Sequence, residues 1–157
     1  MWRKITIVLA IVVADQLTKF LVAKNLIEYQ SLQIIGNFLQ FTLLYNKNGV
    51  FGLNFSIPYI PFVIIAIILI ILMLKRIDIK YNLPLLLILS GAFGNLIDRI
   101  RVKAVIDFID FGIGNARFYV FNIADSSISI GIALWLLISF KETLNSKRIA
   151  KENTDIK

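Results

Sequence analysis

The chain has 157 residues, of which 58% are hydrophobic, and it carries a formal net charge of +7. A soluble domain does not need so much apolar surface, so the mean hydropathy of +0.79 indicates a protein whose helices face lipid. The absence of cysteine and histidine excludes disulfides, cysteine nucleophiles, Ser-His-Asp triads and zinc sites built from His or Cys. The basic balance does not predict nucleic-acid binding, because the charges flank apolar runs instead of forming one patch.

The first predicted element is a membrane span at about residues 5–23. Its start resembles a secretory signal, but Asp15 and Lys19 lie within the run and no clear cleavage site follows. We therefore interpret it as a retained span. Asp15 and Lys19 are four residues apart, so on a helix they share a face and can form an ion pair.

The segment at about residues 25–55 is predicted to form a small β-element on the outer membrane surface. Its β-forming residues flank Gly36 and Asn37, a pair typical of a hairpin turn. Strands at this depth need paired edges, because lipid cannot satisfy backbone hydrogen bonds.

Three further spans are predicted at about 57–74, 83–100 and 119–140, followed by a polar, frayed cytoplasmic tail at 141–157. Most lysines and arginines lie before the first span, between the second and third, and in the tail, which places both termini in the cytoplasm. The predicted fold is an all-α integral membrane protein with four transmembrane helices and a small extracytoplasmic β-element. We expect residues 1–157 to form one domain, because nothing outside the spans is long enough to build its own core.

Two aspartates lie at the outer ends of predicted spans. Asp107 stands in VIDFID just beyond the third span, and Asp125 stands in FNIADSS at the start of the fourth. Two carboxylates brought close together cannot both ionise easily, so such a pair shares a proton, activates water and polarises a carbonyl. The alternative is that these aspartates only cap helices, since a carboxylate is favourable at a helix N-terminus.

Amides and an arginine accompany the carboxylates. Asn95 precedes Asp98 by three residues, as Asn122 precedes Asp125, so each pair shares a helical face. Such an amide can orient a carboxylate or bind a substrate backbone, although it can equally join two helices. Arg99 is suited to hold a carboxylate or a carbonyl, or it marks the membrane interface.

Four segments, taken in order, resemble those of the bacterial lipoprotein signal peptidases, also called signal peptidase II. These segments are ADQLTK at 14–19, GAFGNLIDR at 91–99, VIDFID at 105–110 and FNIADSSI at 121–128. The resemblance covers nearly the whole chain. It implies a four-span aspartic endopeptidase of the bacterial cytoplasmic (inner) membrane, which cuts prolipoproteins on the N-terminal side of a diacylglyceryl-modified cysteine.

The resemblance also implies roles for single residues. Asp107 and Asp125 would be the catalytic pair. Support of that pair or contact with substrate would fall to Asp15, Lys19, Asn46, Asn95, Arg99 and Asn122. No cofactor and no metal are expected. The implied partners are a prolipoprotein with a diacylglyceryl cysteine and membrane lipid, with no nucleic acid, and the protein is expected to be a monomer.

One segment departs from the family pattern N-x-G-A-A-F. Here the run is NKNGVFG at 46–52. Aligning on Phe51 and Gly52 makes Asn46 the family asparagine and puts Asn48 where glycine is usual. The alternative alignment uses Asn48 and Gly49, and the sequence leaves both open.

Two rival functions remain. A small proton-coupled transporter would also contain intramembrane Asp, Lys and Arg, but the chain shows no inverted repeat and its carboxylates cluster at one membrane face. A Ser/Lys peptidase would use Ser126 or Ser127, but no lysine lies near them in the sequence and Lys19 is already matched with Asp15.

Overall fold

The computed structural model describes residues 2–47, 60–113 and 116–155. The helices in these ranges are α1 (Trp2–Asn25), α2 (Ile60–Met73), α3 (Asn82–Arg101) and α4 (Ile123–Asp155), with a short 3-10 turn at Ile79–Tyr81. The strands are β1 (Ser31–Ile35), β2 (Leu39–Asn46), β3 (Val105–Ile113) and β4 (Ala116–Arg117).

Three helices in the described part of the chain are long and apolar enough to cross a membrane. These segments are Trp2–Asn25, Ile79–Arg101 and Ile123–Ile149. Helix α2 is apolar but has 14 described residues, and the start of the span predicted at 57–74 lies outside the described ranges. The fourth crossing therefore stays a prediction.

Helix α3 is the central element of the helical layer and packs against α1, α2 and α4. In its most apolar 18-residue stretch 61% of the residues are buried, against 17% in the corresponding stretches of α1 and α4. Glycines allow the close approach of α3 and α4. A Cβ added at Gly91 would lie 2.6 Å from Cγ1 of Ile128 and closer still to the carbonyl oxygen of Ala124, so only glycine fits there.

The predicted hairpin around Gly36 and Asn37 is confirmed. Strands β1 and β2 pair antiparallel on either side of this turn, and Gly36 has a φ of +47°, in the left-handed region that favours glycine. The amide of Phe38 donates to the carbonyl of Ile35 at 3.0 Å, which closes the turn.

The sheet is larger than the sequence analysis predicted, so the restriction of the β-element to residues 25–55 is wrong. Strand β3 pairs antiparallel with β2, from Leu39 opposite Phe111 to Asn46 opposite Val105, and β4 adds a fourth, short strand. The run VIDFIDF is rich in β-branched and aromatic residues, which favour strands. Its two aspartates interrupt the apolar pattern by which a buried strand is identified in a sequence.

The ends of the fourth helix also differ from the prediction. Helix α4 begins at Ile123, not near 119, and it continues as a helix to Asp155 through the tail that was expected to fray. The tail contains no glycine or proline and many good helix formers, so nothing stops the helix. Just beyond the apolar part, Glu142 accepts a 2.5 Å hydrogen bond from the Tyr81 hydroxyl and pairs with Lys80.

A small apolar cluster packs the sheet against the end of α1. Val22 of α1 packs with Leu43 of β2 and with Ile106 and Phe108 of β3, and all four are buried. Because Ile106 and Phe108 flank Asp107, the same packing fixes the position of that aspartate relative to the helices.

We predict that Gly91→Ala lowers the unfolding free energy by about 1–3 kcal/mol, because the added methyl group meets the α4 backbone. Ala133→Leu, which adds more volume at an exposed position of α4, is the matched control and should leave stability unchanged. Unfolding of both variants in detergent micelles measures this, and equal stability of Gly91→Ala and wild type would contradict the close contact.

Candidate active site

A fully buried lysine lies at the centre of an ionic cluster. The Nζ of Lys19 is 2.8 Å from Oδ2 of Asp15 and 2.8 Å from Oδ2 of Asp98, and it donates to Oδ1 of Asn95 at 3.1 Å. An ammonium has three donors, so all of them are used. The predicted Asp15–Lys19 pair is confirmed, whereas the second carboxylate, from Asp98, was not predicted.

The two carboxylates of this cluster connect the helices to the site. Oδ1 of Asp15 accepts the backbone N–H of Ala124 at 2.9 Å, at the start of α4. Oδ2 of Asp98 accepts the backbone N–H of Ile106 at 3.2 Å, on β3. The cluster therefore ties α1 and α3 to the two segments that carry Asp125 and Asp107.

The side chain of Asn95 joins this cluster to Asp125. Its Oδ1 accepts from Lys19, and its Nδ2 donates to Oδ1 of Asp125 at 2.7 Å. Because an ammonium can only donate, the carbonyl side of the Asn95 amide must face Lys19, and its NH₂ must face Asp125.

The side chain of Asn122 joins Asp125 to Asp107. Its Oδ1 accepts the backbone N–H of Asp125 at 2.8 Å and so caps α4, while its Nδ2 donates to Oδ1 of Asp107 at 2.7 Å. The same Nδ2 lies 3.2 Å from Oδ1 of Asn95. A backbone N–H can only donate, so the orientation of this amide is fixed as well.

Each of these two amides donates a hydrogen bond to a carboxylate other than the one three residues after it in the sequence. Asn95 shares a helical face with Asp98 but donates to Asp125, and Asn122 donates to Asp107 through its side chain. Helical spacing predicts which residues share a face of the helix, but it does not predict which side chains form hydrogen bonds with each other. Here Asp98 pairs with Lys19 and not with Asn95. The capping interpretation also changes: Asn122 caps α4, and Asp125 lies in its first turn.

Asp107 is 3% exposed on β3. Its Oδ1 accepts from Asn122 and its Oδ2 accepts from Nδ2 of Asn46 at 3.1 Å. Burial, and secondarily the negative charge of Asp125, raises the pKa of Asp107 from 3.8 to about 7, against the opposing effect of the two amide donors. Asp107 thus holds a proton at pH values where an exposed aspartate is ionised.

A pocket of about 320 Å³ opens beside Asp107. It is lined by Tyr29, Leu44, Tyr45, Asn46, Asp107, Tyr119 and Val120. Of the two asparagines that the sequence left as alternatives, Asn46 contacts Asp107. Asn48 lies outside the described residues.

The second aspartate of VIDFID has a different environment. Asp110 accepts a 2.8 Å hydrogen bond from the hydroxyl of Thr42 and forms a 2.8 Å ion pair with Arg117. These contacts hold β4 against the sheet. With these partners, Asp110 lies apart from the hydrogen-bonded network that joins Asp107 to Asp125.

Arg99 lies beside the network. It is 8% exposed, and its Nη1 donates to the backbone carbonyl of Asn95 at 3.3 Å. Its positive charge acts on Asp125.

The structure brings all eight candidate residues into one connected region, and adds Asp98. The sequence analysis assigned Lys19 one carboxylate partner, Asp15. A lysine buried among membrane helices needs further acceptors, and this need was the sequence signal that could have identified Asp98.

Comparison with known proteins places the chain in a family. The profile of the family described as "Signal peptidase (SPase) II" matches residues 7–141. A protein named lipoprotein signal peptidase from Syntrophus aciditrophicus (strain SB) is 36% identical over 147 residues, which cover 87% of this chain and 91% of the relative. One of the same name from Staphylococcus aureus (strain JH9) is 38% identical over 150 residues, or 91% of each chain.

Two solved structures are similar along almost their whole length. Both are described as bacterial membrane enzymes determined by the in meso method, at 2.3 Å and 1.9 Å resolution. The first has a TM-score of 0.83 at 31% identity and covers 92% of each chain. The second has a TM-score of 0.80 at 31% identity, with 90% of this chain and 94% of that one covered.

We predict that Lys19→Met lowers the unfolding free energy by about 3–5 kcal/mol, because it leaves buried Asp15 without its ion-pair partner and buried Asp98 with only a 3.9 Å contact to Arg101. Lys24→Met, at an exposed position of the same helix, is the matched control and should stay within roughly 0.5 kcal/mol of wild type. Unfolding in detergent micelles compares the two, and similar losses in both would contradict a special role for Lys19.

Proposed function

The chain belongs to the signal peptidase II family of aspartic peptidases, and from this membership we propose that Asp107 and Asp125 are its catalytic pair. The observation that carries the proposal is the hydrogen-bonded network in which Asn122 holds Asp107 and Asn95 holds Asp125. The two amides are themselves 3.2 Å apart, so the carboxylates from a strand and a helix are positioned as one unit.

The pair performs acid–base chemistry on a peptide bond. One carboxylate takes a proton from water as the water oxygen attacks the carbonyl carbon, and the other, protonated, donates to the carbonyl oxygen. The tetrahedral intermediate then collapses as the nitrogen accepts a proton and the C–N bond breaks. The products are a carboxyl group on the signal peptide and an amine on the new N-terminal cysteine.

We propose that the substrate is a prolipoprotein whose cysteine carries a diacylglyceryl group; the relatives' name, lipoprotein signal peptidase, supports a lipoprotein precursor as the substrate. Apolar side chains at the sheet end of the molecule support this proposal, because Ile27 is 77% exposed and Tyr29, which lines the pocket beside Asp107, is 75% exposed. Such an edge suits lipid, so the acyl chains enter sideways from the bilayer while the signal helix lies against the spans.

The proposed topology has four spans in one membrane domain, with both termini in the cytoplasm and the sheet and pair at the outer face of the bacterial cytoplasmic (inner) membrane. The support is the distribution of positive charge described above, at the N-terminus, before α3 and along the end of α4. We propose that the enzyme acts as a monomer.

Neither rival gains support from the described contacts. The hydroxyl of Ser126 donates to the carbonyl of Asn122 and that of Ser127 to the carbonyl of Leu87, while Lys19 is engaged by two carboxylates. A carrier needs ionisable groups along a path across the membrane, whereas the buried carboxylates of Asp15, Asp98, Asp107 and Asp125 are joined in one cluster around Lys19, Asn95 and Asn122.

We predict that Asp107→Asn and Asp125→Asn each reduce cleavage of a diacylated prolipoprotein by roughly 10²–10⁴-fold or more, because each removes one acid–base group. The assay follows release of the signal peptide by purified enzyme, with unlipidated precursor as the substrate control. Activity that survives either change would refute the catalytic pair.

Three variants control for general damage. Asp110→Asn alters the other aspartate of the same strand, and Ser126→Ala and Ser127→Ala remove the rival nucleophiles. All three should retain cleavage. Loss of activity in Ser126→Ala or Ser127→Ala, with the aspartate variants active, would favour the Ser/Lys mechanism.

The absence of native cysteine makes the topology directly testable. We predict that Gln33→Cys on β1 reacts with a membrane-impermeant maleimide in intact cells, and that Lys147→Cys on α4 reacts only after the membrane is opened. Both side chains are polar and exposed, and Lys147 lies near the end of α4, so we expect the side of the membrane to decide their access. Labelling of Lys147→Cys in intact cells would contradict a cytoplasmic C-terminus.

A further inference from the structure

The two aspartates have unequal surroundings, and we propose that the proton of the pair resides on Asp107 while Asp125 is the ionised base. Asp125 then takes the proton from water, and Asp107 donates its proton to the substrate carbonyl oxygen. This assignment rests on the proposed function and adds to it the role of each carboxylate.

Although Asp125 is also largely buried, its position offers more stabilisation of a negative charge than that of Asp107 does. It lies in the first turn of α4, where the backbone N–H groups give the helix end a partial positive charge. Its own N–H is capped by Asn122, so the helix start is held in place. Asp107 lies on a strand, which provides no such field.

The nearby cations also favour Asp125. Lys19 on α1 acts on both aspartates, but Arg99 on α3 acts on Asp125. Lys19 further polarises the Asn95 amide that donates to Asp125, since the ammonium holds its carbonyl oxygen at 3.1 Å. The carboxylates of Asp15 and Asp98 form ion pairs with Lys19 and partly offset its positive charge.

The position of Asp107 favours the neutral form. It is 3% exposed, and its two described partners, Asn46 and Asn122, are uncharged amides. A protonated carboxyl still has a lone pair on each oxygen for these donors. Because Asp107 also lines the pocket, its proton is next to the space where a substrate carbonyl would lie.

The charges balance through the first chemical step. The water proton moves to Asp125 as the new C–O bond forms, and the Asp107 proton moves to the carbonyl oxygen, which leaves Asp107 ionised and Asp125 protonated. As the C–N bond breaks, Asp125 gives its proton to the nitrogen. A proton that passes from the diol to Asp107 restores the starting state.

The proposal assigns each limb of the pH–activity profile to one residue. Asp107 must be protonated, and since burial raises its pKa to about 7, activity falls as the pH rises through that value. Asp125 must be ionised, so its titration sets the acid limb. The two groups are coupled, but Asp107 stays neutral throughout the range in which Asp125 titrates, so a change that touches only Asp107 moves only the alkaline limb.

Asn46→Leu is the variant that tests this. It removes the amide that donates to Oδ2 of Asp107, and this amide lowers the pKa of Asp107. We expect the alkaline limb of kcat/KM for a diacylated prolipoprotein to move up by roughly one pH unit, with the acid limb unmoved. Ser126→Ala is the matched control and should move neither limb. A shifted acid limb, or no shift, would overturn the assignment.

A second measurement applies if Asn46→Leu is too slow to assay. Infrared spectroscopy of the folded protein below pH 7 detects the C=O stretch of a protonated carboxyl group. We expect this band in wild type and Asp125→Asn, and its loss in Asp107→Asn. The opposite pattern would overturn the assignment but leave the pair intact, whereas cleavage by either Asn variant would overturn the pair itself.

Discussion

The structure depends on the burial of one ammonium group. Lys19 is 0% exposed in a chain rich in apolar residues, and an unpaired charge at such a depth is costly. Its three donors are directed at Asp15, Asp98 and Asn95, from the same helix and from α3. These partners in turn hold the start of α4 and the start of β3, so the arrangement around one cation determines where the two aspartates lie.

From Lys19 outward, each side chain has only one orientation that satisfies its neighbours. The ammonium cannot accept a hydrogen bond, so the Asn95 amide must present its NH₂ group to Asp125. The backbone N–H of Asp125 likewise fixes Asn122, whose NH₂ group must face Asp107. The aspartates are therefore preorganised by groups that do not titrate, which suits a site that has to keep its geometry while protons move.

The sequence predicted which residues come together better than it predicted the contacts among them. Membrane helices, the hairpin at Gly36 and the Asp15–Lys19 pair follow from hydropathy, turn chemistry and helical spacing, all of which are local. The role of Asp98 and the partners of Asn95 were missed, because they depend on packing between segments that are distant in the chain. Strand β3 was missed for another reason, since its aspartates interrupt the apolar pattern that identifies buried strands.

The side chain of Asn122 both accepts and donates a hydrogen bond, and this limits which residue types can occupy the position. Serine, threonine and aspartate cap helices about as well as asparagine, so the start of α4 alone would tolerate all four. The site demands more, because the residue that accepts from Asp125 also donates to Asp107. Ionised aspartate has no donor, and a hydroxyl has a single proton on a shorter side chain. A position that looks exchangeable in terms of helix stability is therefore restricted to one residue type by the requirement to donate and accept on opposite sides.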